Sequence, residues 1–495
     1  MSPKQKTIII SGILILTLII GGIFWYISKK KSTATGPKFP VSGGFIKGPR
    51  TGGEGEGDDG PFVPGSGKPL PRLYELHKLP VAGVGFLDVP KIIQTGSNTK
   101  AAKTPSLRTI PIKEAKNTLS VRYIERGLGH IYETALMSYM QIRISNETRP
   151  GISEAQFGNN GNSVIIRSLD IKEKGTVIKT NILNLSKESN NPPFDKGSRG
   201  SDGVVPTSSP QPPTNPFLRV EELSLPDSIP FMSVAEGGSD KLFYLESSMN
   251  ASSGSVTNFK NIGTTKIFGS AFTEWLPQFP GEKLITLTSR PSAAVTGHLF
   301  FVDPKTKNLT KILGGINGLT TLTSHDGKFV IYSETDGAKM RSLLYDVTKK
   351  ETFLLYLKTL PEKCTWGFQK IVLLYCAVPQ ELPNGSYPDQ WYQGLMTFSD
   401  DVWEIDPISL TMRRLFTPGE FNAPNLDIIN PTVSSDGAYL IFMNKVSSTP
   451  WVYRIIDDIE PIVLKQPTAT TPQTTAPIIS GPVPSVPPVE MKKIK

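Results

Sequence analysis

Hydrophobic and polar positions divide the chain into four stretches. Residues 7–28, TIIISGILILTLIIGGIFWYIS, carry no charged side chain across 22 positions. A helix of that length can cross a hydrocarbon core of ~30 Å, and Trp25 and Tyr26 fall where interfacial aromatics belong. A cleaved leader has an apolar core of only about 7–15 residues, so the pattern predicts an uncleaved anchor at 7–28 behind a short tail at 1–6. Residues 29–78 are rich in Gly, Pro, Ser and Thr. Such a stretch buries too little apolar surface to offset chain entropy, and it reads as a disordered tether. From 79 to 465, apolar runs of strand length alternate with turn residues. Residues 466–495 return to Thr and Pro and read as an extended tail.

Within 79–465 one pattern recurs. Thr321–Ser333, TLTSHDGKFVIYS, is a strand, a turn at Asp326-Gly327 and a second strand, and Pro431–Met443, PTVSSDGAYLIFM, repeats it with Asp436-Gly437 at the corner. An Asp-Gly pair between apolar runs supplies the positive φ of a two-residue hairpin turn. Weaker copies centre on Gly161, Ser239, Gly281 and Lys370, and the steps from 239 to 281, 327 and 370 span 42 to 46 residues. A four-stranded propeller blade takes about 40–45 residues and cannot bury its faces without neighbours around an axis. Third strands follow at Gly297–Asp303, Ser342–Asp346 and Asp401–Asp406, and short fourth strands at Leu309–Leu313, Thr352–Tyr356 and Met412–Phe416. The expected fold is therefore all-β, with blades opening at Leu79, Ile152, Phe231, Glu274, Leu319, Glu362 and Pro431. That gives seven blades, or six if the Leu79 strand merely closes the last one. The Pro/Ser/Gly-rich run 186–216 loops out and explains the long step from 161 to 239.

The S-x-D-G-x-x-[LIV]-x-[FY] turn at Ser324–Tyr332 and Ser434–Phe442 resembles the repeat of WD-like propellers of the Tol-system type, bacterial proteins outside the cytoplasm. VRYIERGLGHIYET (Val121–Thr134), ISEAQFGNNGNSVIIR (Ile152–Arg167) and KCTWGFQKIVLLYCAVP followed by YPDQWYQG (Lys363–Gly394) resemble membrane-anchored propeller proteins of uncultivated small-genome bacteria. The resemblance implies a propeller over Leu79–Ile456 and assigns no activity.

Charge and chemistry change the picture little. The net charge of +9 comes from scattered lysines, several beside the apolar segment or at the chain end, and no Arg/Lys run interleaves with aromatics, so nucleic acid is not the expected partner. The acidic patch Glu54–Asp59 lacks the ligand spacing of a calcium loop and reads as solvated linker. No H-E-x-x-H, G-x-S-x-G, Walker or dinucleotide fingerprint occurs, no cofactor is implied, and His130 and His325 read as surface or capping residues. The only cysteines, Cys364 and Cys376, occupy the frame of Thr321 and Ser333 across a turn. That places them for a disulfide with Cα atoms about 5.5 Å apart; the alternative is a pair of buried free thiols. A bridge implies an oxidising compartment. Orientation signals conflict: Lys29, Lys30, Lys31 and Lys38 outnumber Lys4 and Lys6 and favour a cytoplasmic body under the positive-inside rule, whereas the long spacer, the cysteine pair and the resemblance to extracytoplasmic propellers favour a propeller outside the cytoplasmic membrane, which is the expectation.

Residues 378–400 interrupt one blade and carry Tyr387, Asp389, Trp391 and Tyr392. Exposed Trp and Tyr are common at binding hot spots, so this insertion is the candidate partner-binding loop; the alternative is that its aromatics pack back onto the blade. The leading expectation is a non-enzymatic binding or scaffolding module at the cell envelope, taking an envelope protein or surface polymer. An envelope hydrolase or lyase with its site at the propeller axis is the alternative.

Overall fold

The computed structural model describes residues 71–89, 118–136, 141–172, 175–187, 217–227, 229–336, 339–368, 372–456 and 492–494. The expected anchor at 7–28, nearly all of the tether, most of 186–216 and most of the tail lie outside the described residues. Among the described residues no helix is long and apolar enough to cross a membrane.

Seven antiparallel sheets follow the chain. Blade 1 is β2 (Val81–Val89), β3 (Thr118–Glu125), β4 (Ile131–Ala135) and β5 (Gln141–Arg143), and blade 2 is β6 (Ile152–Gly158), β7 (Ser163–Lys172), β8 (Gly175–Ser186) and β9 (Arg219–Ser224). Blade 3 is β10 (Phe231–Val234), β11 (Lys241–Ser247), β12 (Ser252–Asn258) and β13 (Thr265–Ser270), and blade 4 is β14 (Trp275–Gly281), β15 (Leu284–Ser289), β16 (Thr296–Val302) and β17 (Leu309–Asn317). Blade 5 is β18 (Thr320–Thr323), β19 (Phe329–Asp336), β20 (Lys339–Asp346) and β21 (Glu351–Leu355). Blade 6 is β22 (Cys364–Trp366), β23 (Leu374–Pro379), β24 (Asp400–Asp406) and β25 (Thr411–Phe416). Blade 7 is β26 (Ile428–Val433), β27 (Tyr439–Asn444) and β28 (Pro450–Arg454), completed by β1 (Leu73–Glu75) from the other end of the chain. The fold is a seven-bladed β-propeller.

Two expectations need correction here. The propeller begins before residue 79: β1 pairs with β28, Leu73 opposite Tyr453, so a strand assigned to the tether closes the ring. Its three residues directly follow a Pro/Gly-rich stretch, where composition hides them. The β2 strand belongs to its own blade, which removes the six-bladed alternative. Within the expected tail, the backbone of β29 (Lys492–Ile494) pairs with β21 as a fifth strand of blade 5.

Seven buried clusters among the described residues each bridge successive blades, such as Ile165 and Ile182 of blade 2 with Leu242 and Tyr244 of blade 3. Each second strand is therefore covered on both faces, and the runs LITL, VIYS and LIFM are almost continuously buried. The outer β17 is mostly exposed. Close approach of inner strands requires glycine at Gly83 and Gly85, where an added Cβ would meet Ala155 O at 2.0 Å and Phe157 Cβ at 2.4 Å.

The Asp-Gly corners are wider than a two-residue turn. Strands end at Thr323 and resume at Phe329, and only the glycine adopts positive φ, +72° at Gly327 and +70° at Gly437. The serine explains the difference: Ser324 Oγ donates to Asp326 Oδ1 (2.8 Å) and accepts from Phe329 N–H, while Asp326 accepts from Lys328 N–H. Ser434 and Asp436 repeat these bonds with Ala438 and Tyr439. Side chains thus satisfy donors that a tighter turn would pair through backbone.

Candidate functional site

Inner strands all run in one direction, so turns between first and second strands lie on one face and loops between second and third strands on the other. The 380–399 loop belongs to the second face. Its aromatics pack inward: Tyr387 is fully buried, and Trp391 and Phe398 join Met340 and Leu360 in an apolar cluster. Thr335 Oγ1 donates to Tyr387 O at 2.9 Å, and Asp389 Oδ2 accepts Ala293 N–H from blade 4 at 2.7 Å. Asp389–Tyr392 forms one helical turn. The loop is a packed cap, which favours the alternative stated for it above; Tyr392 keeps 39% of its surface exposed, and its hydroxyl donates to Glu362 Oε1. Burial and the Glu362 charge push that phenol well above its ordinary range.

Beneath the cap lies a charged group that sequence order does not reveal. Lys363 Nζ sits 2.8 Å from Asp400 Oδ2, 2.5 Å from Asp427 Oδ1 and 2.9 Å from Ile428 O, with all three side chains fully buried. The Trp391 indole N–H donates to Asp427, and Lys445 Nζ stands 4.1 Å over the Trp391 ring. Burial pushes the Asp400 carboxyl up to about 6 despite Lys363, and Asp400 Oδ1 has no partner. These residues come from the blade 6 entry, the β24 start and the blade 7 entry, segments separated in sequence by 27 to 64 residues.

Cys364 and Cys376 are directly opposed in register and bridged, with Cα atoms 4.0 Å apart. The matching blade 5 pair is Thr320 and Ser333, one residue from the expected frame, joined by a 2.7 Å hydroxyl bond. Blade 6 carries a covalent link where blade 5 carries a hydrogen bond.

The inner strands enclose an axial cavity of about 550 Å³. Its wall draws on six blades and includes Phe86, Phe157, Val234, Leu322, Trp366, Phe368 and Val433, with Asn160, Thr365, Thr432 and Ser435 among its polar groups. Two carboxylates reach it, Glu236 and Glu362. Asp326, Gly327, Asp436 and Gly437 hold the turns on the first face and do not line it, although their neighbour Ser435 does. Among the described residues no cluster of His, Cys, Asp and Glu could hold a metal ion.

His325, expected at the surface, is instead wedged beside this cavity. Its ring stacks on Phe368 at 4.1 Å, Nδ1 faces Glu236 Oε2 (2.9 Å) and Pro280 O (3.0 Å), and Nε2 faces Trp366 O (3.2 Å). Both ring nitrogens meet acceptors, the arrangement of an imidazolium. Burial opposes the charge, but the Glu236 bond and charge with the two carbonyls outweigh it and raise the His325 pKa. His130 is also buried, 3.9 Å from Glu125.

No protein-family model and no curated protein matches this chain. Solved structures similar to it include an oligogalacturonate lyase in complex with manganese, with a TM-score of 0.43 at 9% identity over 69% of this chain and 86% of that one. The Dos1 propeller gives 0.40 at 12% identity, covering 78% of this chain and 95% of that one. TolB from Acinetobacter baumannii gives 0.34 at 11% identity, covering 69% and 78%.

Proposed function

We propose that this chain is a membrane-anchored β-propeller acting as a non-enzymatic binding or scaffolding module at the cell envelope, with residues 7–28 as the anchor and the propeller outside the cytoplasm. The observation that carries the binding reading is the axial cavity. Its volume falls within the ~300–1,000 Å³ typical of ligand sites, and its wall is mainly aromatic and aliphatic with a few polar groups. The two carboxylates that reach it have separate partners, Glu236 with His325 and Glu362, through Oε1 alone, with Tyr392, so they do not form a pair poised for acid and base roles. Placement outside the cytoplasm is supported by the Cys364–Cys376 bridge and by the long spacer, against the lysine count beside the apolar segment.

The test is capture from native envelope extract by the full chain, compared with Ser435→Trp. Ser435 is exposed and lines the cavity, so an indole there plugs the space without touching the interblade cores. An envelope component enriched by the parent and lost from the variant supports the proposal. Identical recovery by both removes the cavity as the binding site.

A further inference from the structure

We infer that the axial cavity receives an organic cation, a primary ammonium or guanidinium borne on an apolar body; this rests on the binding reading above. The wall combines Phe86, Phe157, Trp366 and Phe368 with two carboxylates, and among the described residues no Lys or Arg lines it. Aromatic rings and carboxylates attract the same ligand charge. Glu236 is already matched by His325, which leaves Glu362 as the group without its complement.

Tyr392 satisfies only Oε1 of Glu362, and the buried Oε2 has no hydrogen-bond partner. The Thr320 hydroxyl also interacts with the carboxyl, but it is shared with Ser333 Oγ at 2.7 Å. Burial pushes the Glu362 carboxyl up, which is the response of a group short of donors. A buried acceptor lacking a donor is costly, and an ammonium or guanidinium N–H entering the cavity supplies one. The nearest fixed cation in sequence, Lys363, cannot do so because Asp400, Asp427 and Ile428 O occupy its three donors.

Phenethylammonium and phenethyl alcohol, which share an apolar body and differ in charge, are titrated into the full chain by calorimetry against a buffer blank. The ammonium is expected to bind roughly tenfold more tightly, the contribution of one charge-assisted hydrogen bond. Glu362→Gln should bring the two affinities together while alcohol binding persists, which also reports an intact cavity. Equal affinities in the parent chain overturn the cation assignment and leave the cavity reading standing; binding of neither probe overturns both. A preference for ammonium that survives Glu362→Gln overturns the role of Glu362. Should that variant fail to fold, the ratio measured on the parent still decides.

Discussion

Lys363 shows how much one residue can hold at the centre of this fold. Its ammonium donates to two carboxylates and a carbonyl, all without solvent, so each partner is satisfied only while the others remain. Removing one member of such a group leaves an uncompensated buried charge, and costs of about 3–5 kcal/mol are usual. The pH behaviour of Asp400 follows from its raised pKa. An acid raised on folding binds more protons in the folded than in the unfolded state, so its contribution falls as pH climbs through the interval between its unfolded value, about 4, and its folded value, about 6. Asp400→Asn mimics the neutral form at every pH. Its stability relative to the parent is therefore expected to improve between those limits by on the order of 2 kcal/mol, measured by denaturant unfolding of the full chain at each pH. A relative stability that stays flat or declines across the interval would show that Asp400 is ionised throughout. None of this was legible beforehand, because Lys363, Asp400 and Asp427 follow no spacing motif and meet only once blades 6 and 7 pack. Cys364 and Cys376 were legible, since strands joined by a turn fix which positions oppose each other.

At the scale of elements, the turns divide into those that carry their own instructions and those defined by neighbours. The Ser-x-Asp-Gly corners of blades 5 and 7 are local: Ser324 and Asp326 bond only within their turn, and the sequence displays both residues. For that reason the repeat could be read from the chain, although a serine-braced loop replaced the tighter hairpin. The position of the 380–399 insertion was equally readable, but not the direction its aromatics face, which Met340 and Leu360 of other segments decide. His325 belongs to the second class. From a blade 5 turn it reaches Glu236 of blade 3, Pro280 of blade 4 and Trp366 of blade 6, joining four blades beside the cavity. As a base with a raised folded pKa, it contributes stability that is fully present below its ordinary value of about 6.5 and lost as pH rises through the higher folded value. The parent should accordingly lose unfolding midpoint relative to His325→Gln as pH is raised from about 6 to about 9. If the two chains keep a constant difference over that range, the ring is neutral in the fold and its contacts are those of packing alone.

At the scale of the whole molecule, a ring of sheets has to be closed, and here its last blade is assembled from both ends of the described propeller. Three blade 7 strands follow one another, and the fourth is β1, more than 370 residues earlier. Leu73 is 5% exposed and packs in the cluster of Val433, Leu440, Phe442 and Tyr453, while Arg72 donates through Nε to Arg454 O (2.9 Å) and through Nη2 to Ile455 O (3.0 Å). Forming this pairing closes the largest loop in the fold, so its entropic cost is not shared with any local turn. Leu73→Ala removes buried methyl groups at that seam and is expected to cost about 2–4 kcal/mol. Leu309→Ala is the comparison: Leu309 is 49% exposed on the outer strand of blade 4, and its loss should stay within about 0.5 kcal/mol. Hydrogen exchange locates the difference, because opening the seam frees the outer edge of β28 and should speed exchange in blade 7 before blades 3 and 4. Uniform acceleration across all blades in Leu73→Ala would mean that the ring unfolds as one unit with no seam. Equal costs for the two leucines would mean that β1 adds a strand without closing anything.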